Sequence, residues 1–231
     1  MKSSLIILTL NEIEGVRTLY DRIPFDAADE CFVVDGGSID GTVEFFRERG
    51  IKVVPQEIKG RGEAFQIAVR EAKGDYLIFF SPDGNEDPGD IPKLLELLAM
   101  GYDIAIASRF LSGSQNEEDD LRFPWRAWAN RAFTFIANII WNTNRNYITD
   151  TINGYRAIKK EAFNKLNISA PPGFVIEYQM SIRAMKLGLK VVEIPTVEGQ
   201  RIGGVSTAKS IPTGLLFLRF LLKEIMNGSK S

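Results

Sequence analysis

Apolar side chains arrive in short runs separated by polar, helix-compatible stretches through the first half of the chain. Ser3 to Leu10 opens the series as a nearly continuous apolar run, the pattern of a strand buried on both faces. Glu12 to Arg22 can form the helix that follows. Cys31 to Val34 predicts a second strand, with a helix over Val43 to Arg49. Lys52 to Pro55 predicts a short third strand, after which Gly60-Arg61-Gly62 opens a helix running to about Lys73. Tyr76 to Phe80 is the fourth strand, Ile91 to Ala99 a helix, and Asp103 to Ala107 the fifth strand. Strands alternating with helices predict an α/β fold with a mostly parallel central sheet and crossover helices. No repeat, low-complexity tract or linker interrupts the alternation.

The pattern changes between Arg122 and Trp141. All three tryptophans fall here, and Trp125, Trp128, Phe133, Phe135, Ile136, Ile139 and Ile140 interleave with Arg122, Arg126 and Arg131. Positions 125, 128, 132, 135, 136 and 139 share one face at helical spacing. Large rings on one side and arginines on the other suit a helix lying at a membrane surface, because indole favours the headgroup region and arginine attracts anionic lipid. A core helix is the plainer explanation of the same spacing. Phe174 to Glu177 precedes another helix through Met185. Ile211 to Met226 is a second apolar run carrying Arg219 and Lys223; it suits a surface-lying helix or a dimer contact. No stretch of about 20 apolar residues is present to span a bilayer, and Leu5 to Leu10 is too short for a signal-peptide core.

Composition narrows the chemistry. Across 231 residues, 28 basic and 30 acidic side chains give a net charge of −2, which offers no general attraction to nucleic acid, so any anion site must be local. The lone Cys31 excludes an intramolecular disulfide and a cysteine zinc cluster and suits a reducing compartment. There is no histidine. That removes a Ser-His triad, an imidazole zinc site and a histidine general base together.

Polar residues punctuate three strand ends: Asn11-Glu12, Asp35 and Asp83. In open parallel sheets, ligands bind outside the carboxyl ends of strands, so carboxylates there can face a site. Asp83, Glu86, Asp87 and Asp90 follow the fourth strand. Hard oxygen ligands at that place suit Mg²⁺ or Mn²⁺ holding a diphosphate. Asp-Gly and Asn are also frequent turn formers, so the same residues would make a solvated turn. Gly60-Arg61-Gly62 is a fragment of a phosphate-binding loop and equally an ordinary helix start.

Taken in order, the motifs resemble those of the family 2 glycosyltransferases with the GT-A (Rossmann-like, nucleotide-binding) fold, and within them the polyprenyl-phosphate sugar transferases such as the dolichol-phosphate mannose synthases. The matching pieces are Leu8 to Glu12, Val34 to Thr42, Gly60 to Ala64, Gly74 to Asp83, Ser108-Arg109-Phe110, Asp150 with Gly154-Tyr155-Arg156, and Arg201 to Ser206. The resemblance implies that Leu10, Asn11, Glu12, Asp35, Gly60, Arg61, Ser81, Pro82, Asp83 and Arg201 bind the nucleotide-sugar donor, Asp35 at the base or ribose. It implies Mg²⁺ or Mn²⁺ on Asp83 and Asn85, with Glu86 or Asp87 able to complete the shell. Arg109, Arg126, Asn130, Arg156 and Ser206 are placed at the acceptor phosphate, with Asp83, Arg109 and Arg126 as the catalytic set and Glu177 in support. The chain departs from the family pattern at Ser81, where the first aspartate of D-x-D is expected, and at Gly36, where an acidic residue is frequent.

The expected organisation is one catalytic domain over residues 1–210, with a nucleotide-sugar half (1–110) and an acceptor half (111–210), followed by an amphipathic helix and tail over 211–231. The expected reaction transfers a sugar, with inversion, from a nucleotide-diphosphate sugar to a polyprenyl phosphate. The expected setting is a cytoplasmic enzyme held peripherally on the inner membrane surface, with a homodimer compatible and nucleic acid excluded. A phosphate monoester is largely dianionic near pH 7, its second pKa being about 6, which accommodates the missing histidine. A saccharide hydroxyl acceptor would need a carboxylate base from Asp83, Glu86, Asp87 or Asp150. A nucleotidyltransferase would need a Gly-rich basic loop where the first strand ends in Leu-Asn-Glu, and Ser81 leaves a noncatalytic nucleotide-sugar-binding protein as a further reading.

Overall fold

Every predicted strand pairs, and two more join them. In the computed structural model, which describes residues 1–143, 146–169, 173, 175–203 and 210–226, seven strands form one sheet: β1 (Ser3–Thr9), β2 (Glu30–Asp35), β3 (Lys52–Pro55), β4 (Tyr76–Phe80), β5 (Ile104–Ser108), β6 (Arg156–Lys159) and β7 (Val191–Pro195). Their order is β3-β2-β1-β4-β6-β5-β7. All pairings are parallel except those of β6, which runs antiparallel between β4 and β5. This is the GT-A arrangement.

Burial on both faces explains the continuous apolar runs. Ile6, Leu8, Phe32, Val34, Leu77 and Phe79 face one layer, while Leu5, Ile7, Val33, Ile78 and Phe80 face the other, as the two-residue period of a strand requires. On the first side lie α3 (Arg61–Glu71), α5 (Trp125–Trp141), α7 (Ile176–Lys186) and α8 (Ser210–Met226). On the second lie α1 (Ile13–Leu19), α2 (Thr42–Glu48) and α4 (Ile91–Ala99). A short α6 (Lys160–Lys165) follows β6. The first helix is shorter than its polar pattern predicts, since Tyr20–Arg22 tightens into a 3₁₀ turn.

The helix α8 is part of the core and not an appendage. Phe217, Phe220 and Leu221 are buried in the first layer, and Glu224 pairs with Lys186 and Arg183 of α7. Its opposite face leaves Leu215, Leu218, Leu222 and Ile225 exposed. In α5 the sidedness is inverted relative to a core helix. Ala127, Thr134, Ala137 and Asn138 face inward, whereas Trp125, Trp128, Phe135 and Ile139 face outward. Among the described residues no helix is long and apolar enough to cross a membrane.

Candidate active site

At the carboxyl ends of β1, β2, β4 and β5 the sheet opens into a cavity of about 540 Å³. Its centre is the loop after β4. Asp83 Oδ1 accepts from the Asn85 amide at 3.1 Å, so the segment is a turn, and the turn faces the cavity. The Ser81 amide donates to Glu86 Oε2 at 2.7 Å, drawing that carboxyl back over the strand end. A strap following β7 crosses this loop. The Ile202 amide donates to the Asp83 carbonyl at 2.7 Å and the Gly199 amide to the Asn85 carbonyl at 3.1 Å, while Asn85 Nδ2 donates to the Gly199 carbonyl at 2.7 Å. Gly84, at φ +96°, has no room for a side chain because the Gln200 carbonyl would lie 2.7 Å from its Cβ.

The strap delivers Arg201 to two carboxylates. Its Nη1 donates to Asp83 Oδ2 at 2.8 Å and its Nη2 to Glu12 Oε1. One guanidinium thus joins the ends of β1 and β4. Glu12 Oε2 and Arg201 Nε are buried with no hydrogen-bond partner among the described residues. Burial pushes Glu12 up to about 7, against the opposing pull of Arg201. Burial and the charge of Asp83 push Glu86 well above the usual carboxylate range. Among the described residues no cluster of three or more potential ligands converges on one point. Mg²⁺ can bind through one or two carboxylates, with phosphate and water completing its shell. Asp83, with the orphaned Glu12 oxygen nearby, fits a cation held that way.

The far end of the cavity is built from the second half of the chain. Arg109, directly after β5, donates to Asp150 Oδ2 at 2.7 Å and Oδ1 at 3.1 Å and to Glu198 at 3.2 Å. Burial would push Asp150 up, but Arg109 and backbone donors outweigh it and hold it below the usual carboxylate range. Arg126, in the first turn of α5, donates to Glu118 at 2.5 Å and to Glu117 at 2.7 Å. The second oxygen of Glu118 accepts from the Ala127 amide at 3.0 Å, satisfying a free donor of the helix start. At the floor, Arg61 pairs with the buried Glu177 of α7, and a Cβ on Gly154 would sit 2.0 Å from the Arg61 guanidinium. A side chain there would have to displace the guanidinium.

The profile of glycosyl transferase family 2 matches residues 4–166. The chain belongs to this family. It is 33% identical over 218 residues to the dolichol-phosphate mannosyltransferase of Pyrococcus furiosus, covering 90% of this chain and 60% of that protein. It is 31% identical over 200 residues to glycosyltransferase AglJ of Haloferax volcanii, covering 86% of this chain and 63% of that protein. The chain thus spans about three-fifths of the length of these two relatives. The polyprenol monophosphomannose synthase of Mycolicibacterium smegmatis is 29% identical, with 89% of this chain and 80% of that protein covered. Among solved structures, glucosyl-3-phosphoglycerate synthase from Mycobacterium tuberculosis, in complex with Mn²⁺, UDP-glucose and phosphoglyceric acid, superposes with a TM-score of 0.75 at 22% identity, covering 96% of this chain and 79% of that chain.

Within this family 2 chain, most of the predicted site residues share the cavity. Leu10, Glu12, Gly60, Arg61, Ser81, Asp83, Asn85, Arg109, Arg126, Asn130 and Arg201 all line it. Five predicted residues stand elsewhere, among them Asp87, which caps the turn after the β4 loop by accepting from the Gly89 amide at 3.0 Å and faces Arg22. Asn11 turns outward with φ 57° and accepts from the Ile39 amide. Pro82 lies behind the loop, its carbonyl 2.1 Å from where a Cβ on Gly15 would be. Asp35 is buried, and its carboxylate is taken up by its own turn. Arg156 lies fully buried beneath the cavity, donating to the carbonyls of Asn153 and Glu177 and to Ser181 Oγ. The carbonyl-rich turn explains its burial: it ties β6 to α7 and does not reach a phosphate, and Asp150 pairs with Arg109. Ser206 lies outside the described residues.

Sequence reasoning passed over Gln56, Lys59, Glu117, Glu118 and Glu198, which also line the cavity. Glu117-Glu118 could have been found as an acid pair just ahead of the arginine-bearing helix start. Gln56 and Lys59 carry no signal beyond their place at the end of a strand.

Proposed function

We propose that the protein transfers a sugar, with inversion, from a nucleotide-diphosphate sugar to a polyprenyl phosphate at a membrane surface. The observation that carries this reading is the two-sidedness of α5. Its inner turn brings Arg126 and Asn130 to the cavity, while Trp128, Phe135 and Ile139 of the same helix present large apolar surface outward and Trp125, half exposed, also lines the cavity. Exposed rings of this size on one helix mark an interaction surface. An acceptor whose phosphate belongs in the cavity and whose tail belongs in lipid needs both properties side by side. The exposed leucines of α8 continue the theme, and that helix touches α5. The only acid of the two helices, Glu224, is buried in its ion pair, so nothing on either outer face repels anionic lipid. We place the enzyme on the cytoplasmic face of the membrane, held peripherally, with residues 1–110 serving mainly the donor and 111–210 mainly the acceptor, Arg109 and Arg201 crossing that division.

In this reading the donor diphosphate lies between Asp83, Arg61 and Arg201. A divalent ion, Mg²⁺ or Mn²⁺, held through Asp83 with Asn85 or Glu12 beside it, would neutralise the departing nucleotide diphosphate. The acceptor phosphate is its own nucleophile, with a second pKa of about 6, so no general base is required. Arg126 positions it, while Asp150 and Glu198 hold Arg109 rigid beside it. The barrier falls mainly through orientation and charge stabilisation. Transfer assays with radiolabelled UDP- and GDP-hexoses, a short polyprenyl phosphate and Mg²⁺ or Mn²⁺ test the reading. Lipid-linked sugar is the expected product. Labelled product with a saccharide or a soluble phosphate ester and none with the lipid would overturn the acceptor assignment; no product with any donor would overturn the transferase assignment.

A further inference from the structure

Two acids crowd the arginine at the acceptor end of the cavity. Negative charge beside the cation of an anion site opposes the anion, yet Glu117 and Glu118 both pair with Arg126. Glu118 has a local role. It is 3% exposed, and its carboxylate is divided between Arg126 Nε at 2.5 Å and the Ala127 amide at 3.0 Å, so it anchors the arginine and satisfies a free donor of α5. Glu117 lies outside the helix and has no such role. Arg126 would stay anchored through Nε without it.

Every polar group of Glu117 is nonetheless engaged, and its contacts reach both ends of the cavity. Its Oε1 accepts from Arg126 Nη2 at 2.7 Å and its Oε2 from Asn85 Nδ2 at 3.2 Å. Asn85 belongs to the loop after β4, and the same Nδ2 donates to the Gly199 carbonyl at 2.7 Å. Both partners of that nitrogen only accept, which fixes the amide orientation and leaves Oδ1 for the cavity that Asn85 lines. The main chain of Glu117 is held as well. Its amide donates to Glu198 Oε2 at 3.2 Å, and its carbonyl accepts from Gln200 Nε2 at 3.2 Å. A carboxylate fixed at both oxygens and along its backbone is no loose stand-in for an incoming anion. Arg126, by contrast, commits only Nε and Nη2 among the described residues, and the rest of its five N–H groups stay available to a phosphate.

We infer that Glu117 is a positioning residue, which sets the guanidinium of Arg126 at a fixed place relative to the loop after β4. One carboxylate spans from Asn85 to Arg126. The group that holds the nucleophile and the loop that holds the departing diphosphate are thereby aligned before either substrate arrives. The alignment serves the transfer step and not affinity, since misplacing a reacting group by about 1 Å can cost about a hundredfold in rate. The charge of Glu117 opposes an anionic acceptor, so removing it favours binding on electrostatic grounds and harms transfer on positional ones. The inference rests on the proposed reading of the cavity, with the donor at the β4 loop and a phosphate acceptor at Arg126.

Glu117→Gln tests it. The new side-chain oxygen can still accept from Arg126, but its NH₂ is turned on Asn85 Nδ2, donor against donor, and the bridge breaks. Steady-state transfer by the full chain, from radiolabelled UDP- or GDP-hexose to a short polyprenyl phosphate in Mg²⁺, should show kcat lower by about ten- to a hundredfold. Both KM values should stay within about threefold of the wild type's, the mark of an interaction that acts in the transition state, and the melting temperature should not move. Asp120→Asn removes an equal charge from an exposed side chain of the same segment and should leave kcat as it is. A Glu117→Gln variant with wild-type or raised kcat would overturn the inference. So would a raised acceptor KM at unchanged kcat, which would make Glu117 an affinity residue, or an equal loss of kcat in Asp120→Asn, which would make the effect one of charge. Failure of the wild type to transfer any hexose to the lipid phosphate would overturn the proposed reading itself, and this inference with it.

Discussion

Replacing Trp125 and Trp128 together with alanine tests whether the outer face of α5 meets lipid. The rings are 49% and 55% exposed. With up to about 250 Å² of surface on a tryptophan, roughly 260 Å² of the pair faces solvent. At about 25 cal/mol per Å², complete removal of that area from water would stabilise the bound state by ~6 kcal/mol. Insertion to headgroup depth buries about half of it, leaving ~3 kcal/mol, or a membrane affinity lower by about two orders of magnitude in the double variant. Co-sedimentation with liposomes containing anionic lipid, titrated over lipid concentration, measures the difference directly. Met100→Ala serves as the control, because Met100 is 64% exposed but caps α4, outside both helices. The double variant should melt at the wild-type temperature, since neither ring is in the core. Unchanged liposome binding by the double variant, or no binding by the wild type, would refute the reasoning.

Other substitutions probe the site. Asp83→Asn should abolish the part of donor binding that depends on Mg²⁺ or Mn²⁺, measured by titration with and without chelator; equal metal dependence in the variant would reduce Asp83 to a turn residue. Asp150→Asn leaves the buried Arg109 short of a partner and should cost ~3 kcal/mol in urea unfolding at neutral pH. Because Asp150 is held below its ordinary range, its contribution is complete above about pH 4 and lost as pH falls through its folded pKa. The gap between variant and wild type should therefore narrow in acid, and a constant gap would contradict the ion pair. Gly154→Ala drives a methyl group onto the Arg61 guanidinium and should destabilise by ~2 kcal/mol; wild-type stability and donor affinity would show that Arg61 moves aside freely.

Particular residues explain what the sequence made legible. Four of the five predicted strands are apolar enough to be buried on both faces, so composition alone exposes them, whereas the edge strand β3, Lys-Val-Val-Pro, is only half buried at its two valines. The strand β6 is Arg-Ala-Ile-Lys, and its arginine is buried only because the carbonyls of Asn153 and Glu177 are brought to it by the fold. No local pattern encodes that. The edge strand β7 carries a central Glu193, whose carboxylate accepts from the amides of Thr149 and Asp150, a partnership that likewise exists only in three dimensions. Asp83 was visible at its strand end, but its contact with Arg201 joins residues 118 positions apart; resemblance grouped the two at the donor and did not give the contact. Asp35 was visible as a carboxylate, whereas its saturation by Thr9 and Ser38 was not.

The antiparallel course of β6 bears on how such a chain can diversify. Strand β5 pairs antiparallel with β6, and the Ala107 amide donates to the carbonyl of Tyr155, just before β6, at 3.0 Å. The chain therefore leaves the sheet after Ser108 and comes back to an adjacent point before Tyr155. Residues 109–153, including α5 and the glutamates that hold Arg126, form an excursion whose two ends meet. Such a segment can lengthen, shorten or be exchanged while the strand register on either side stays as it is, and doubling its length would add only about 0.6 kcal/mol of closure entropy. On the proposed reading of the cavity, exchanging that excursion would change its acceptor end and leave the donor end as it is, apart from the contact of Glu117 with Asn85.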